Sequence, residues 1–405
     1  MKDEAEDQYA DVTIVGGASR DGLSLVLSMA DKGLTVNVND PNIEAIEKLK
    51  KGQMPFLEHR AARLLEKALI NGRLLFSASP DGISPLGPVV LAVGTSADML
   101  LSPDRKLLQN CADALRPHIG ERRLLILRSS VLPGTTEWFA AYMNRFGQDH
   151  KVAYCPERAL QGYGIQELEY APQIVGATTP EAETEAIALF SSIVTEFVAL
   201  SPREAEFARL FNNVYRYIEF AAVNEFYLIA QSAGLDYTRI SRGMKHNSPR
   251  ARNIPTPGFA GGPHLLPDTL RLAAASGGKF GLTFAALHVN EGLVLEIIKI
   301  LQQKFPIGDK TVGLLGMAFK AQSDDIRCSL SYKFKKMLSL YAREVLTTDP
   351  FVSGDDDLLP LDEVVSRSDI LILCTPHEVY RTISLRDKPV VDVWGYLDGN
   401  NLRII

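Results

Sequence analysis

Residues 11–40 read DVTIVGGASRDGLSLVLSMADKGLTVNVND, and this stretch decides the fold class. It contains a short apolar strand pattern at residues 11–15, a glycine-containing turn, an amphipathic helical pattern at about residues 22–32 and a second strand pattern at residues 34–39. Two strands joined by a crossover helix form the unit from which doubly wound parallel sheets are built. The chain is therefore predicted to begin with a parallel α/β domain.

The turn in this stretch matches a dinucleotide-binding fingerprint in part. Gly17 and Gly22 take the first and third glycine positions, whereas Ser19 takes the middle one, where the backbone approaches a pyrophosphate. Asp40 ends the second strand, where a carboxylate can accept hydrogen bonds from the adenosine ribose of NAD. These residues predict an NAD site; the alternative is a glycine-rich strand–helix turn that binds no nucleotide.

The rest of the chain repeats this alternation after a helical middle. A helical pattern at residues 202–234 would span roughly 48 Å at 1.5 Å per residue, which is typical of a connector between domains. We expect an α/β protein with two Rossmann-like, doubly wound parallel-sheet domains joined by a long helix and a helical middle domain. The expected domains are residues 1–200, 201–304 and 305–405. Further strand patterns lie at residues 88–93, 124–128, 311–315, 344–347, 370–374 and 390–393.

Composition excludes several functional classes. The 405 residues carry a formal net charge of −6 and are 46% hydrophobic, so the chain lacks the basic surface of a nucleic-acid binder. No apolar run reaches the length of a membrane span, and no secretory signal is visible, so we expect a cytoplasmic protein. No cysteine pair has metal-ligand spacing, and no metal site is predicted. The four cysteines are Cys111, Cys155, Cys328 and Cys374.

Short motifs follow one another in a fixed order along the chain. They read AVGT at 92–95, RSSVLPGTT at 128–136, CPER at 155–158, AEFARLFNN at 205–213, NEF at 224–226, TPGFAGGPHLLPDT at 256–269, GMAFK at 316–320, SDDIR at 323–327, DP at 349–350, TPH at 375–377 and DVWG at 392–395. In kind and order they resemble the motifs of the UDP-glucose/GDP-mannose dehydrogenase family. The CPER segment and Pro249-Arg250 favour its N-acetylmannosaminuronate branch.

The resemblance implies an activity and an assembly. Members of this family use two NAD to oxidise a primary alcohol of a nucleotide sugar to a carboxylate, through a thioester on a loop cysteine. By this resemblance the first expected domain binds NAD, the middle one carries the active-site loop and the dimer contact, and the last one binds the nucleotide sugar. We therefore expect a homodimer that acts on a nucleotide sugar or a related phosphorylated sugar.

Two residues depart from the family pattern. His264 stands where the family has its nucleophilic cysteine, and Arg209 stands where it has a lysine. Imidazole is a weak substitute for a thiolate but is a competent proton acceptor near neutral pH. We expect a two-electron oxidation of a sugar alcohol. The alternatives are a four-electron oxidation through a hydrated aldehyde, an inactive nucleotide-binding protein, and a dehydrogenase of a non-sugar alcohol or hydroxy acid.

The resemblance also assigns roles to single residues. Arg250 is the residue that would reach across a dimer interface, and Lys320 and Arg327 would bind phosphates. The implied catalytic residues are His264, Arg209, Asn213, Asp268 and Glu157. The implied cofactor-binding residues are Gly17, Ser19, Gly22, Asp40, Thr95, Ser130 and Arg327. The implied substrate-binding residues are Arg158, Arg250, Phe259, Gly261, Gly262 and Lys320.

Overall fold

A computed structural model describes residues 9–94, 105–158, 162–277, 279–385 and 388–397. The chain forms two compact units, Met1–Phe211 and Asn212–Ile405. The boundary between them falls within one long helix, α8, which runs from Pro202 to Ser232. Across the described residues, no helix is both long and apolar enough to cross a membrane.

The first unit is built on an eight-stranded sheet. Its strand order is β3-β2-β1-β4-β5-β6-β7-β8, and all neighbouring strands are parallel except the antiparallel pair β6 and β7. Strand β1 has β2 on one side and β4 on the other, so the order in which strands are added to the sheet reverses at β1. Doubly wound sheets bind ligands at such switch points. The strands are β1 Val12–Val15, β2 Val36–Asn39, β3 Leu74–Ser77, β4 Val89–Leu91, β5 Leu124–Leu127, β6 Lys151–Tyr154, β7 Gln173–Ala177 and β8 Phe197–Leu200.

Helices cover both faces of this sheet. Side chains alternate between the faces of a strand, so Ile14 of β1 packs into one core cluster and Val15 into another. Helix α1 places Leu23, Val26 and Leu27 in the same cluster as Ile14. The helices are α1 Arg20–Asp31, α2 Ile43–Lys50, α3 Ala61–Ile70, α4 Arg105–Leu115, α5 Thr135–Asn144, α6 Gly164–Leu168 and α7 Pro180–Phe190, and Pro80–Gly82 forms a 3₁₀ turn.

A buried glutamate fixes the first turn of α8. The Glu206 side chain accepts hydrogen bonds from the backbone N–H of Gly134 at 2.5 Å and of Thr136 at 2.7 Å, and from the Thr136 hydroxyl at 2.6 Å. These donors stand at the start of α5, where backbone N–H groups have no partner within the helix. Glu206 therefore anchors the beginning of α8 on the first unit.

The second unit contains a smaller, fully parallel sheet with strand order β10-β9-β11-β12. Val312 and Leu314 of β9 pack with Leu293 and Ile297 of α11 in one core cluster, while Leu315 belongs to a cluster on the opposite face. The strands are β9 Thr311–Leu315, β10 Glu344–Thr348, β11 Ile370–Leu373 and β12 Val390–Val391. The helices are α9 Tyr237–Lys245, α10 Leu265–Ala275, α11 Gly281–Lys304, α12 Leu330–Leu338 and α13 Leu361–Arg367, with 3₁₀ turns at Ile307–Asp309 and Glu378–Arg381.

The predicted fold class is confirmed: two parallel sheets and a helical middle region are present. The helix predicted at residues 202–234 is α8, which ends at Ser232. The strand predicted at residues 311–315 is β9, which has the same bounds. The strand predicted at 88–93 covers only Val89–Leu91, because ladder pairing stops sooner than the apolar run. The division of the chain into three domains stays a prediction.

Candidate active site

Three glycines of the first strand–helix turn have no room for a side chain, and a Cβ on Gly17 would lie 2.8 Å from the carbonyl oxygen of Ile14. Gly16 has a φ of +76°, and a Cβ there would lie 2.6 Å from the carbonyl oxygen of Ala92. A Cβ on Gly22 would lie 2.2 Å from the carbonyl oxygen of Gly16. The turn is therefore as tight as a pyrophosphate-binding turn must be. The prediction placed the first glycine at Gly17 and gave Gly16 no role.

Ser19 has a local function in this turn. It is the N-cap of α1, and its hydroxyl oxygen accepts the backbone N–H of Gly22 at 3.1 Å. The same hydroxyl donates to the carbonyl oxygen of Gly16 at 2.6 Å. Serine is among the preferred N-cap residues. The serine in the fingerprint thus stabilises the turn and the helix start that a nucleotide phosphate would face.

The Asp40 carboxylate lies at the end of β2 beside the same turn. Its Oδ2 accepts the backbone N–H of Ala18 at 3.1 Å, and its Oδ1 accepts the backbone N–H of Asn42 at 2.9 Å. A carboxylate has about four acceptor positions, so these two bonds leave capacity for ribose hydroxyls. The tight turn, the helix start and this carboxylate together fit the adenosine diphosphate half of NAD.

Glu157 is held by a buried cation. Nη2 of Arg128 donates to Glu157 Oε2 at 2.7 Å, and the Arg128 side chain is only 1% exposed. Arg128 also donates to the carbonyl oxygen of Cys155 at 3.2 Å and to Gln173 Oε1 at 3.3 Å. Such a pairing orients the Glu157 carboxylate. Sequence reasoning gave Arg128 no role, because its partner lies 29 residues away.

The remaining sequence-predicted residues of the first unit are spread out. Ser130 follows β5 and is 8% exposed. Arg158 donates from Nη1 to the carbonyl oxygen of Pro172 at 3.1 Å, so its guanidinium is already engaged with the backbone. Thr95 lies outside the described residues.

Arg209 is buried on α8, where it is 4% exposed. Its Nε is covered from solvent and, within the described part of the chain, has no hydrogen-bond partner. A buried donor of this kind normally has an acceptor. Asn213 follows one helical turn later and is 2% exposed. Both residues therefore present polar groups from buried positions on the same helix.

His264 lies at the junction of the glycine-containing loop and α10. It is the N-cap residue of that helix, although its side chain makes no capping hydrogen bond. Its carbonyl oxygen accepts the backbone N–H of Asp268 at 2.9 Å, which closes the first turn of α10. The side chain is half-buried.

Asp268 is fully buried, and donors meet both of its oxygens. Nδ2 of Asn213 donates to Oδ2 at 2.6 Å, and Nη1 of Arg271 donates to Oδ1 at 2.6 Å. The structure thus brings together the predicted residues Asn213 and Asp268. It adds Arg271, whose spacing of three residues from Asp268 on a helix was the available sequence signal.

A two-way amide contact fixes the start of the loop. Oδ1 of Asn224 accepts the backbone N–H of Gly258 at 2.8 Å, and Nδ2 of Asn224 donates to the Gly258 carbonyl at 3.1 Å. Nδ2 also donates to Oδ1 of Asn290 at 2.9 Å. A Cβ on Gly258 would lie 2.4 Å from the ring of Trp394, so glycine is required there.

The two predicted loop glycines pack against the segment after β9. A Cβ on Gly261 would lie 2.6 Å from the carbonyl oxygen of Cys328, and one on Gly262 would lie 2.6 Å from the ring of Phe319. The backbone N–H of Gly262 donates to the Cys328 carbonyl at 3.1 Å. Cys328 is exposed as a whole residue, but partial desolvation of its thiol raises the pKa of that group. The thiol is therefore protonated near neutral pH.

Phe259 and the basic residues of the second unit have varied surroundings. Phe259 is 4% exposed, and its ring centroid lies 5.4 Å from that of Phe334 in the core. Arg327 binds Asp325 through Nε at 3.0 Å and through Nη2 at 2.8 Å. Lys320 is half-buried and Arg250 is exposed. The guanidinium of Arg327 is thus oriented by a carboxylate.

A cleft of about 520 Å³ opens beside the loop in this unit. That volume lies within the range of small-ligand sites. Thr256 and Pro257 of the loop contribute to its lining. Its other lining residues include Tyr227, Arg242, Lys245, Lys304, Asp392 and Trp394. Across the described residues, no cluster of His, Cys, Asp and Glu could hold a metal ion.

Sequence models of three domains match the chain. Residues 10–194 match the NAD binding domain of the UDP-glucose/GDP-mannose dehydrogenase family, residues 203–291 match its central domain and residues 313–399 match its UDP binding domain. The NAD binding domain match includes the tight turn at Gly16, and the central domain match includes the loop at Gly258–Gly262. The UDP binding domain match covers most of the second sheet.

Similar proteins cover nearly the whole chain. A UDP-N-acetyl-D-mannosamine dehydrogenase of Pyrococcus horikoshii is 29% identical over 395 residues, covering 92% of each chain. The structure of a UDP-D-ManNAc dehydrogenase from the same organism superposes with a TM-score of 0.89 at 25% identity, covering 96% of this chain and 97% of the other. A UDP-glucose dehydrogenase from Pyrobaculum islandicum has a TM-score of 0.88 at 24% identity, covers 97% of this chain and 96% of its own, and supports the fold. The chain therefore belongs to the UDP-glucose/GDP-mannose dehydrogenase family of NAD-dependent dehydrogenases.

Proposed function

We propose that this protein oxidises a hydroxymethyl group of a nucleotide sugar by two electrons and uses NAD as the acceptor. The loop that carries His264 supports this proposal. Its backbone is fixed by Asn224 at Gly258 and by Cys328 at Gly262, and one turn of α10 later Asp268 binds Asn213. The hydrogen bonds that hold the loop and Asp268 in place are present although residue 264 differs from the family's cysteine. This favours a modified reaction over a loss of catalytic activity.

The chain supplies groups for the proton and for the developing charge. His264 is proposed to accept the proton of the substrate hydroxyl, a role that imidazole fills near neutral pH. Arg209, buried and with a donor available at Nε, is proposed to stabilise the alkoxide. NAD, held by the Gly16–Gly22 turn and Asp40, would accept the hydride from the carbon. The products are an aldehyde, a proton on the histidine and reduced cofactor.

Because the loop has no cysteine, we expect the oxidation to stop at the aldehyde. A second hydride can leave only from a tetrahedral adduct, and a thiolate forms such an adduct much more readily than imidazole. Cys328 touches the loop through its carbonyl, and its thiol pKa is raised. That thiol is therefore a poor substitute near neutral pH. Oxidation through a hydrated aldehyde is the competing four-electron route.

Product stoichiometry tests this proposal. The protein is incubated with NAD and a panel of UDP- and GDP-sugars, with UDP-N-acetyl-D-mannosamine first because similar proteins act on it. We expect one NADH and one aldehyde per sugar consumed, and loss of activity in His264→Ala. The His264→Cys variant should move toward two NADH and a uronic acid. Two NADH and a uronic acid from the unmodified protein would exclude the two-electron reaction.

An inactive nucleotide-binding protein is the second candidate function. Two observations favour it: His264 and Arg209 both stand at catalytic positions of the family with different side chains. Titration calorimetry with NAD separates the candidates. NAD binding without turnover of any sugar in the panel would support the binding protein, whereas turnover would exclude it.

We also propose that the protein is a homodimer. Tyr215, Phe226 and Ile229 are 64%, 45% and 59% exposed and lie within about 60° of one another around α8, at 100° per residue. An exposed apolar stripe of this kind is typical of an interface. Sedimentation velocity should show a dimer that Phe226→Glu dissociates. The control variant Ile70→Glu replaces a side chain that is 77% exposed on α3 and should leave the dimer intact.

A further inference from the structure

Arg271 belongs to the polar cluster behind the loop, although no sequence motif marks it. It lies three residues after Asp268 on α10, and the two side chains are 11% and 0% exposed. Nη1 of Arg271 donates to Asp268 Oδ1 at 2.6 Å, while Nδ2 of Asn213 donates to Oδ2 at 2.6 Å. The Asp268 carboxylate therefore links α10 to α8, with a donor on each oxygen.

The arginine compensates the buried carboxylate of this link for its lost hydration. A carboxylate that has lost its hydration stays ionised only where a cation and hydrogen bonds replace the water. Arg271 provides both in a charge-assisted bond. Because an ionised carboxylate can only accept, the Asn213 amide must place Nδ2 toward Asp268 and Oδ1 on the other side of the group.

We propose that Arg271 is a positioning residue of the active site. By holding Oδ1 of Asp268, it fixes the position of Oδ2, which accepts the hydrogen bond from the Asn213 amide. It also holds the first turn of α10, whose first hydrogen bond joins the Asp268 N–H to the His264 carbonyl. Arg271 thus sets the geometry of Asn213 and His264, the two groups proposed to face the substrate. Arg271 itself is not proposed to touch the substrate. Its kinetic consequences rest on the proposed dehydrogenase function.

The kinetic test compares Arg271→Met with Arg271→Lys. Methionine retains much of the volume but loses the charge, whereas lysine retains the charge. We expect Arg271→Met to lower kcat about 10-fold to 100-fold, as misplacement of active-site groups does, while the KM for NAD changes less than about two-fold. Arg271→Lys should recover most of the lost kcat. An Arg271→Met enzyme with unchanged kcat, or equal impairment of both variants, would overturn the proposal.

Lys299 supplies a matched control. It forms an ion pair with Glu296 at the same sequence spacing and at the same 2.6 Å, but the two side chains are 63% and 43% exposed. Lys299→Met should leave kcat and KM unchanged, because an exposed ion pair positions nothing in the site. A loss of kcat equal to that of Arg271→Met would show a general effect of removing helical ion pairs and would overturn the assignment.

Thermal unfolding separates failure of this proposal from failure of the proposed function. If the unmodified protein turns over no sugar, the dehydrogenase proposal fails, and the Tm values of Arg271→Met, Asp268→Asn and the double variant still test the pairing. The double variant should lose less Tm than the two single losses added together, because each single variant leaves one buried group without its partner. Strictly additive losses would overturn the role of Arg271.

Discussion

The sheets of the two units each have an aspartate at the end of their second strand, and the two carboxylates are used differently. In the first unit, Asp40 follows β2 and accepts one backbone N–H on each oxygen, from Ala18 and Asn42. In the second unit, Asp349 follows β10 and accepts four backbone N–H groups and the Nε2–H of His377. The first carboxylate keeps acceptor capacity for a ligand, whereas the second is saturated by its own chain.

The His377 ring supplies the last of the hydrogen bonds that the Asp349 carboxylate accepts. Its Nδ1 accepts the backbone N–H of Gln322 at 3.0 Å, so the proton must lie on Nε2, which is 3.1 Å from Asp349 Oδ2. Both side chains are 0% exposed. An aspartate at the end of a second strand therefore indicates a nucleotide site only where its own backbone leaves acceptor positions open.

The largest expected effect is on folding of the second unit. Asp349→Ala should lower the free energy of unfolding by about 3–5 kcal/mol, since it leaves several buried donors without a partner. Asp40→Ala, measured in the same denaturant titration, should cost about 1–2 kcal/mol because only two such bonds are lost. Equal losses would remove the distinction between the two carboxylates.

The second prediction concerns acid stability. Burial alone would raise the pKa of Asp349, but the hydrogen bonds from His377 and from backbone N–H groups outweigh it and lower the pKa. A carboxyl with a lowered pKa in the folded state contributes its stability above the unfolded pKa and loses it as pH falls through the folded value. The unfolding free energy should fall on acidification, in a range below about pH 4. Asp349→Asn should flatten this acid dependence, and an unchanged slope would contradict the assignment.

Cofactor affinity tests the open carboxylate. Asp40→Asn should raise the Kd for NAD about 10-fold, equivalent to about 1.4 kcal/mol, because a charge-assisted bond to the ribose becomes a neutral one. Calorimetry measures this value, and the Tm of the variant shows whether the turn is still folded. An unchanged Kd in a folded variant would show that Asp40 is as fully used by the backbone as Asp349.

The smallest effect is expected at the helix start that Asp40 faces. Ser19→Ala removes the N-cap acceptor for Gly22 and should destabilise the first unit by about 1 kcal/mol, whereas Ser19→Gly should cost only a few tenths. Denaturant midpoints of the two variants measure the difference. If glycine proved as costly as alanine, the hydroxyl would be acting beyond the cap.

Much of the fold was predictable because apolar runs and helical periods are local properties of the sequence. Strands β1, β4 and β9 were predicted because their residues are almost fully buried. Strands β3, β6, β7 and β8 were not predicted. For β8 the reason is its exposure, since its end residues are half-exposed and the residues between them are exposed. The antiparallel pairing of β6 with β7 was missed as well, since it depends on tertiary packing.

Less of the candidate site could be predicted. Motif order located His264, Asn213 and Asp268, and the structure joins the last two. The partners Arg128 and Arg271 were missed because a pairing depends on which charges the fold buries together. The roles of Gly16 and Asn224 were missed for a related reason, since the atoms that they contact are distant in sequence.

Residues outside the loop hold its backbone. The backbone at residues 258–262 is bound by Asn224 and Cys328 and packed against Trp394 and Phe319. The side chain at position 264 makes no capping hydrogen bond to α10. Because these other residues hold the backbone at 258–262, position 264 is a natural starting point for directed evolution of new reactions on this scaffold.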